Sequence, residues 1–170
     1  MTIRYYILAA LLQMLTLPAF AQQRIVLDDS LSPQQTYSLD LKWSPQDINQ
    51  AISAMLNGQP SALPPLTGRL PNVDIRLNTR DFIGQAGRIF LSLPITESGT
   101  HSPSNIQLSW RTRGNFLSGS VRPGQSTLVF DGIIDQAITS DVFDFILSIE
   151  NGDVPDNFTL EPDYEIEIIP

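Results

Sequence analysis

Carboxylates dominate the end of this sequence, and their spacing restricts the chemistry that they can do. The last ten residues, EPDYEIEIIP (161–170), alternate Glu165 and Glu167 with apolar residues. Side chains two residues apart in a strand project from the same face, so these two carboxylates would lie on one side. A pair of this kind can transfer protons, bind a metal ion or neutralise arginines, depending on what lies opposite.

A second acidic group lies in the turn-rich stretch ENGDVPDN. It offers four side chains with oxygen ligands: Glu150, Asp153, Asp156 and Asn157. Oxygen ligands at this density can bind calcium, although their spacing does not match the loop of a helix–loop–helix calcium site. The stretch therefore predicts either a calcium site or a solvated acidic turn between two strands, and the turn is the simpler interpretation.

Nucleophilic catalysis has little support in the composition. The chain has one histidine, His101, and no cysteine. His101 stands in a polar stretch, ESGTHSPSN, that is typical of an exposed loop, and the sequence has no Gly-x-Ser-x-Gly elbow. Two carboxylates facing each other across a cleft can hydrolyse glycosides, but a sequence does not give their separation. We therefore predict no catalytic residue, and no cofactor apart from the calcium considered above.

Basic and acidic residues occupy separate parts of the sequence. The part from Arg69 to Arg122 contains seven arginines and three acids. The part from Asp131 to the last residue contains eleven acids and no basic residue. This separation predicts that the folded molecule has surfaces of unlike charge, or that the two parts pair with each other.

Arg111 and Arg113 have the same two-residue spacing as Glu165 and Glu167, and this suggests two uses of the charges. In the first, the two strands lie side by side and neutralise one solvent face, at about 0.2–1 kcal/mol per pair. In the second, basic and acidic surfaces lie apart and bind a neighbouring copy through charge complementarity and strand-edge addition. These four residues are therefore the candidate interaction residues.

Short segments with alternating apolar and polar residues recur along the chain and predict β-strands. The segments are QTYSLDLKW, NVDIRLN, GRIFLSL, NIQLSWRTR, NFLSGSV, STLVFDGII, DVFDFILSIE and YEIEII. Pro123 and Gly124, between two of them, predict a hairpin turn. The pattern predicts an all-β fold, an antiparallel β-sandwich of immunoglobulin-like or jelly-roll-like type with about seven to nine strands.

One segment, SPQDINQAISAMLNG, has helical periodicity instead. Ser44 suits an N-cap, Pro45 suits the first turn and Gly58 suits the end of a helix. The segment predicts one short α-helix at 45–57 whose apolar stripe packs on the core. The stretch that follows, 59–71, contains four prolines and predicts an extended crossing loop.

The beginning of the sequence has the three parts of a secretory signal peptide: Arg4, an apolar run and the small-x-small pattern AFA. We therefore expect residues 1–21 to be a signal peptide and residues 22–170 to form a single exported β-sandwich domain, periplasmic or at the cell surface. The lack of cysteine excludes disulfides and a lipid-modified cysteine. The formal net charge of −8 argues against nucleic acid or an anionic membrane as a partner.

These features favour a non-catalytic exported module that acts through protein–protein contacts. Its general character is similar to that of the cysteine-free β-sandwich subunits of surface pili, and this resemblance implies other subunits or further copies as partners. The alternative is a carbohydrate-binding module in which Trp110, Tyr37 or Trp43 stacks on a sugar ring, although their strand faces also suit core packing. A carboxylate-dependent hydrolase is the third alternative.

Overall fold

The computed structural model describes residues 23–33, 40–59, 64–94, 105–150 and 161–169. These residues form nine β-strands and one α-helix, arranged as two antiparallel sheets packed against each other. The predicted all-β antiparallel sandwich with one short helix is confirmed. No helix in the described ranges is long and apolar enough to cross a membrane. The predicted signal peptide lies outside these ranges.

The first sheet, sheet A, has four strands. From one edge to the other they are Ile25–Val26 (β1), Asp163–Ile168 (β9), Ala86–Ser92 (β4) and Ser126–Ile133 (β7). The acidic segment at the end of the sequence is therefore a central strand, bonded to β1 on one side and to β4 on the other.

The second sheet, sheet B, has five strands. From one edge to the other they are Lys42–Trp43 (β2), Leu66–Asn78 (β3), Ile138–Ile149 (β8), Ile106–Thr112 (β5) and Gly119–Val121 (β6). The long strand β8 is central and bonds to β3 and β5. A short 3₁₀ turn, Arg80–Phe82, lies on the connection from β3 to β4.

The core lies between the sheets because each long strand turns its apolar side inward. Ile89 and Ile166 of sheet A and Leu108 and Phe143 of sheet B are fully buried. Phe116 packs edge-on against Phe143, with ring centres 5.6 Å apart. Burial contributes about 1.5–3 kcal/mol for each large side chain, several times the contribution of an exposed ion pair. The alternation of apolar residues therefore holds the two sheets together.

The predicted crossing loop at 59–71 is wrong at its later end, because β3 already begins at Leu66. Pro71 does not prevent this, because it lies at an irregularity in the β3–β8 ladder, between Leu70 and Val73, where no partner requires its missing N–H. The next residue, Asn72, has a φ of 59°, which an asparagine tolerates better than most residues. Residues 60–63 lie outside the described ranges.

The predicted helix is present as Pro45–Leu56 (α1), but the prediction that it packs on the core is wrong. None of its residues is buried, and the exposed fractions of Ile52, Met55 and Leu56 are 50%, 54% and 82%. The helix follows the two-residue edge strand β2 and does not lie across a sheet face. Its apolar stripe is therefore uncovered in the part of the chain that the structure describes.

The turn at Pro123 and Gly124 is present, but it does not close a hairpin. Gln125 N–H donates to the Arg122 carbonyl at 3.0 Å, and Gly124 has a φ of 78°. The strands on either side of the turn, β6 and β7, belong to different sheets. The turn therefore carries the chain from sheet B to sheet A, which local turn chemistry does not distinguish from a hairpin.

Candidate interaction faces

The structure separates the strands that carry the four candidate interaction residues. Strand β5, with Arg111 and the adjoining Arg113, belongs to sheet B, whereas β9, with Glu165 and Glu167, belongs to sheet A. The predicted side-by-side pairing of these strands is wrong. Strand β5 lies between β6 and β8, and β9 lies between β1 and β4, so neither has a free edge for the other. Their apolar sides meet across the core instead.

Glu165 and Glu167 both form ion pairs with Arg24, which comes directly before β1. Arg24 Nη1 lies 3.6 Å from a carboxylate oxygen of Glu165, and Arg24 Nε lies 3.7 Å from one of Glu167. Nη1 also donates to Ser126 Oγ at 2.8 Å. The centre of the guanidinium lies 3.7 Å from the centre of the Phe90 ring, a cation–π contact. Arg24 therefore holds the beginning of the described chain on the outer side of sheet A.

The outer side of sheet A carries more acids than bases. Arg88 lies between Glu167 and Asp131 in the strand ladders, and its Nε donates to an Asp131 carboxylate oxygen at 3.2 Å. Among the described residues, Arg24 and Arg88 are bases on this side. We call the surface the acidic face, and its acids are Asp131, Asp163, Glu165 and Glu167.

On the outer side of sheet B, the carboxylate of Asp144 is the centre of a polar network. It accepts the Asn72 N–H at 2.8 Å, and Arg113 Nη2 donates to its two oxygens at 2.9 and 3.0 Å. The Asn72 N–H, and after it Arg113, hold the pKa of the Asp144 carboxyl below its ordinary value. Arg111 is the cross-strand neighbour of Asp144 but forms no ion pair with any residue that the structure describes.

The outer side of sheet B carries more bases than acids, and we call it the basic face. Its bases include Lys42, Arg69, Arg76, Arg111 and Arg113, and its acids include Asp40, Asp74 and Asp144. Arg76 pairs with Asp74 and Lys42 pairs with Asp40, each at 2.6 Å. Arg69 is exposed and, like Arg111, has no ion-pair partner among the described residues. The two faces lie on opposite sides of the sandwich.

A buried carboxylate that the sequence analysis missed, Asp141, positions the turn that carries Arg113. Its Oδ1 accepts the N–H groups of Arg113 at 3.3 Å and Gly114 at 2.7 Å, and its Oδ2 accepts that of Phe116 at 2.9 Å. The N–H of Val142 donates to Oδ1 at 2.6 Å. A signal was present in the sequence, because Asp141 has the same strand parity as the inward-facing phenylalanines of DVFDF.

Tyr164, on the inner side of β9, is 2% exposed, and its hydroxyl has no hydrogen-bond partner in the described part of the chain. Burial raises the pKa of its phenol far above the ordinary value of 10, and the nearby charge of Asp29 adds to the rise. The phenol is therefore neutral at physiological pH. A buried hydroxyl without a partner costs stability and does not contribute to it.

The remaining candidate residues are only partly covered by the structure. Glu150 forms an ion pair with Arg122, with 3.7 Å between its Oε1 and Arg122 Nη2. The other calcium candidates, Asp153, Asp156 and Asn157, lie outside the described ranges, and so does His101. The described residues contain no group of three or more His, Cys, Asp or Glu side chains that could hold a metal ion.

The aromatic residues considered for sugar binding differ in their exposure. Trp110 is 3% exposed, and its Nε1 donates to the Leu117 carbonyl at 2.9 Å, so its ring belongs to the core. Trp43 is 43% exposed. Tyr37 lies outside the described ranges. Of these aromatics, the described part of the chain therefore offers Trp43 alone to a ligand.

No family model, no curated protein and no solved structure matches this chain.

Proposed function

We propose that this protein is an exported, non-catalytic module that acts by binding other proteins, as a structural subunit of a pilus or of another cell-surface assembly. The observation that supports this function is the pair of unlike charged faces on opposite sides of one sandwich. Arg69 and Arg111 are exposed and unpaired within the described residues, so the carboxylates of a partner can pair with them. Complementary charge speeds association and selects the partner.

A contact through a sheet face fits the structure better than the strand-edge addition considered from the sequence. The edge strands β1 and β2 have two residues each, and β6 has three. The outer edge of β3 is interrupted at Pro71 and Asn72, and its end is covered where Asn78 N–H donates to the Asp28 carbonyl at 2.9 Å. On β7, the Val129 carbonyl accepts the Leu117 N–H at 2.7 Å. Short, interrupted and covered edges are the means by which β-proteins prevent edge pairing.

Site-specific photo-crosslinking in the producing cell tests the proposed function. A photo-reactive residue replaces Gln107, which is half-buried on the basic face, and a control probe replaces Gln50, which is exposed on α1. We expect the Gln107 probe to give a defined protein adduct that Arg111→Glu removes. Arg80→Glu is the matched control, because it makes the same change of charge in the 3₁₀ turn and should leave the adduct intact. No adduct from Gln107, or an adduct that Arg111→Glu leaves unchanged, would contradict the proposal.

Carbohydrate binding is the second candidate function, and the exposed ring of Trp43 favours it. An aromatic ring stacked on a sugar would lose solvent exposure, which changes its fluorescence. A glycan array followed by fluorescence titration tests this candidate, with Trp43→Phe as the variant that should lose the response. The fluorescence of Trp110 should not change when a sugar binds, because its ring is buried in the core, so it serves as an internal reference. A protein that binds no glycan on the array, or whose response survives Trp43→Phe, would rule out this use of Trp43.

A further inference from the structure

We propose that the partner is a second copy of this chain, whose acidic face binds the basic face of the first. This inference rests on the proposed function and supplies its partner. The basic face carries more bases than acids and the acidic face more acids than bases, so the two charge excesses are opposite in sign. A face that carries an excess of one charge disfavours contact with itself and favours contact with the other face.

The spacing of the charges on the two faces also agrees. Arg69 of β3 and Arg111 of β5 are separated by the width of β8 and by two residues along it, because they lie opposite Ile146 and Asp144. Asp131 of β7 and Glu165 of β9 are separated by the width of β4 and by two residues in the same way. With strands about 4.8 Å apart and a rise of about 3.3 Å per residue, both separations are about 12 Å. One pair of arginines can therefore meet one pair of carboxylates.

Asp131 already pairs with Arg88 at 3.2 Å, but the other groups that would meet have little internal compensation. Arg69, Arg111 and Asp163 have no ion-pair partner among the described residues. Glu165 has only the 3.6 Å contact to Arg24, which it shares with Glu167. Exposed ion pairs contribute little one by one, and across an interface they act mainly on the rate of association and the choice of partner.

The positions of the two faces on the sandwich determine whether the contact closes or repeats. The two faces lie on opposite sides of one molecule, so a copy bound through its acidic face still presents its basic face. Such a heterologous contact does not close after two subunits and repeats as an open stack. A face four strands wide and seven residues long covers about 450 Å², so one contact buries about 900 Å² in total, less than a stable complex needs. The stack is therefore weak and sensitive to salt.

Sedimentation velocity of the purified exported protein at two salt concentrations tests the stack. At about 20 mM salt, where the Debye length exceeds 20 Å, we expect species beyond the dimer that grow with protein concentration. At about 500 mM salt we expect monomer. Arg69→Glu/Arg111→Glu reverses the basic face, and Asp131→Lys/Asp163→Lys reverses the acidic face. Each variant alone should associate at least about tenfold more weakly than the unmodified protein.

A mixture of the two variants tests directly whether the acidic face of one copy binds the basic face of another. The first variant keeps a normal acidic face and the second keeps a normal basic face, so an equimolar mixture should form dimers that do not grow. If circular dichroism shows that Asp131→Lys/Asp163→Lys does not fold, Asp131→Asn/Asp163→Asn takes its place. An unmodified protein that stays monomeric at low salt, or that stops at a dimer, would overturn the stack. A photo-adduct with a different protein, in that case, would leave the proposed function standing with another partner.

Discussion

Asp144 lies directly opposite Arg111 in the β5–β8 ladder, yet its carboxylate binds Arg113 and the N–H of Asn72. The irregularity of β3 between Leu70 and Val73 places the Asn72 N–H 2.8 Å from this carboxylate. Arg111 is consequently left exposed at the middle of the basic face. Because Asp144 binds Arg113 and the Asn72 N–H, Arg111 keeps the unpaired charge on which the proposed contact depends.

Protonation of Asp144 should weaken this network. Its pKa is lowered in the folded protein, so its contribution to stability is present above its ordinary value of 3.8 and is lost as the pH falls through the folded value. We expect the urea midpoint of the unmodified protein to fall between about pH 5 and pH 2, and Asp144→Asn to make that fall shallower. Asp135→Asn, an exposed acid between β7 and β8, is the control and should keep the original slope. Identical slopes in all three proteins would show that Asp144 is not coupled to folding.

Loss of the Asp141 carboxylate should be more damaging than loss of any exposed acid. Asp141→Ala removes the acceptor for three N–H groups of the turn after β5 and for the N–H of Val142. We expect the free energy of unfolding to fall by about 2–4 kcal/mol, because unpaired buried donors are costly. Urea denaturation measures the change. Asp135→Ala should stay within about 0.5 kcal/mol of the unmodified protein, and an equal effect of both substitutions would refute this role of Asp141.

Gly114 should tolerate a side chain only when Asp141 is absent. A Cβ atom at Gly114 would lie 2.9 Å from Asp141 Oδ2, closer than Cβ atoms approach in folded proteins, and a tight 3.0 Å from its Cγ. We expect Gly114→Ala to cost about 1–3 kcal/mol in the unmodified protein and almost nothing in the Asp141→Ala background. A double-mutant cycle by urea denaturation measures this coupling. Additive effects of the two substitutions would mean that the clash is relieved elsewhere.

Removal of the Tyr164 hydroxyl should not destabilise the protein. The hydroxyl is buried without a partner, so Tyr164→Phe removes an uncompensated polar group and keeps the ring. We expect the free energy of unfolding to be unchanged or to rise by about 1 kcal/mol. Tyr164→Ala is the comparison and should cost about 3–5 kcal/mol, because it leaves a cavity under β9. A loss of more than about 1 kcal/mol in Tyr164→Phe would reveal a bond that the hydroxyl makes.

Arg24 should fasten the first strand to sheet A. Arg24→Ala removes the contact with Phe90 and leaves Glu167, which is 9% exposed, without its cation. We expect about 1 kcal/mol of destabilisation and faster amide hydrogen exchange at Val26 and Leu27. Arg24→Lys keeps the charge but not the flat guanidinium, so its stability and exchange rates should lie between those of the unmodified protein and of Arg24→Ala. Exchange rates at Val26 and Leu27 that match those of the unmodified protein would contradict this role.

The two-residue alternation was enough to predict the buried side of the long strands, but not of β2, where Trp43 is 43% exposed. In the last strand, Tyr164 and Ile166 are buried as the pattern indicates, and Glu165 lies on the outer side. The limits of the helix were predicted equally well, because Pro45 and Gly58 act within a few residues of themselves. The exposed stripe of α1 was not predicted, because periodicity shows that a helix has an apolar side and not what lies against it.

The sequence by itself determined most local properties of this protein: its strands apart from β1, the inward and outward sides of the long strands, its one helix and the separation of basic from acidic segments. The tertiary structure alone decided which charges meet, because sheet neighbours such as Glu167 and Arg88 lie far apart in the chain. It placed Arg24, and not Arg111 or Arg113, beside Glu165 and Glu167. The physical reason is the difference between local and long-range interactions. The direction of a side chain depends on its own strand, whereas the residue that it meets depends on how the strands are ordered in the sheet.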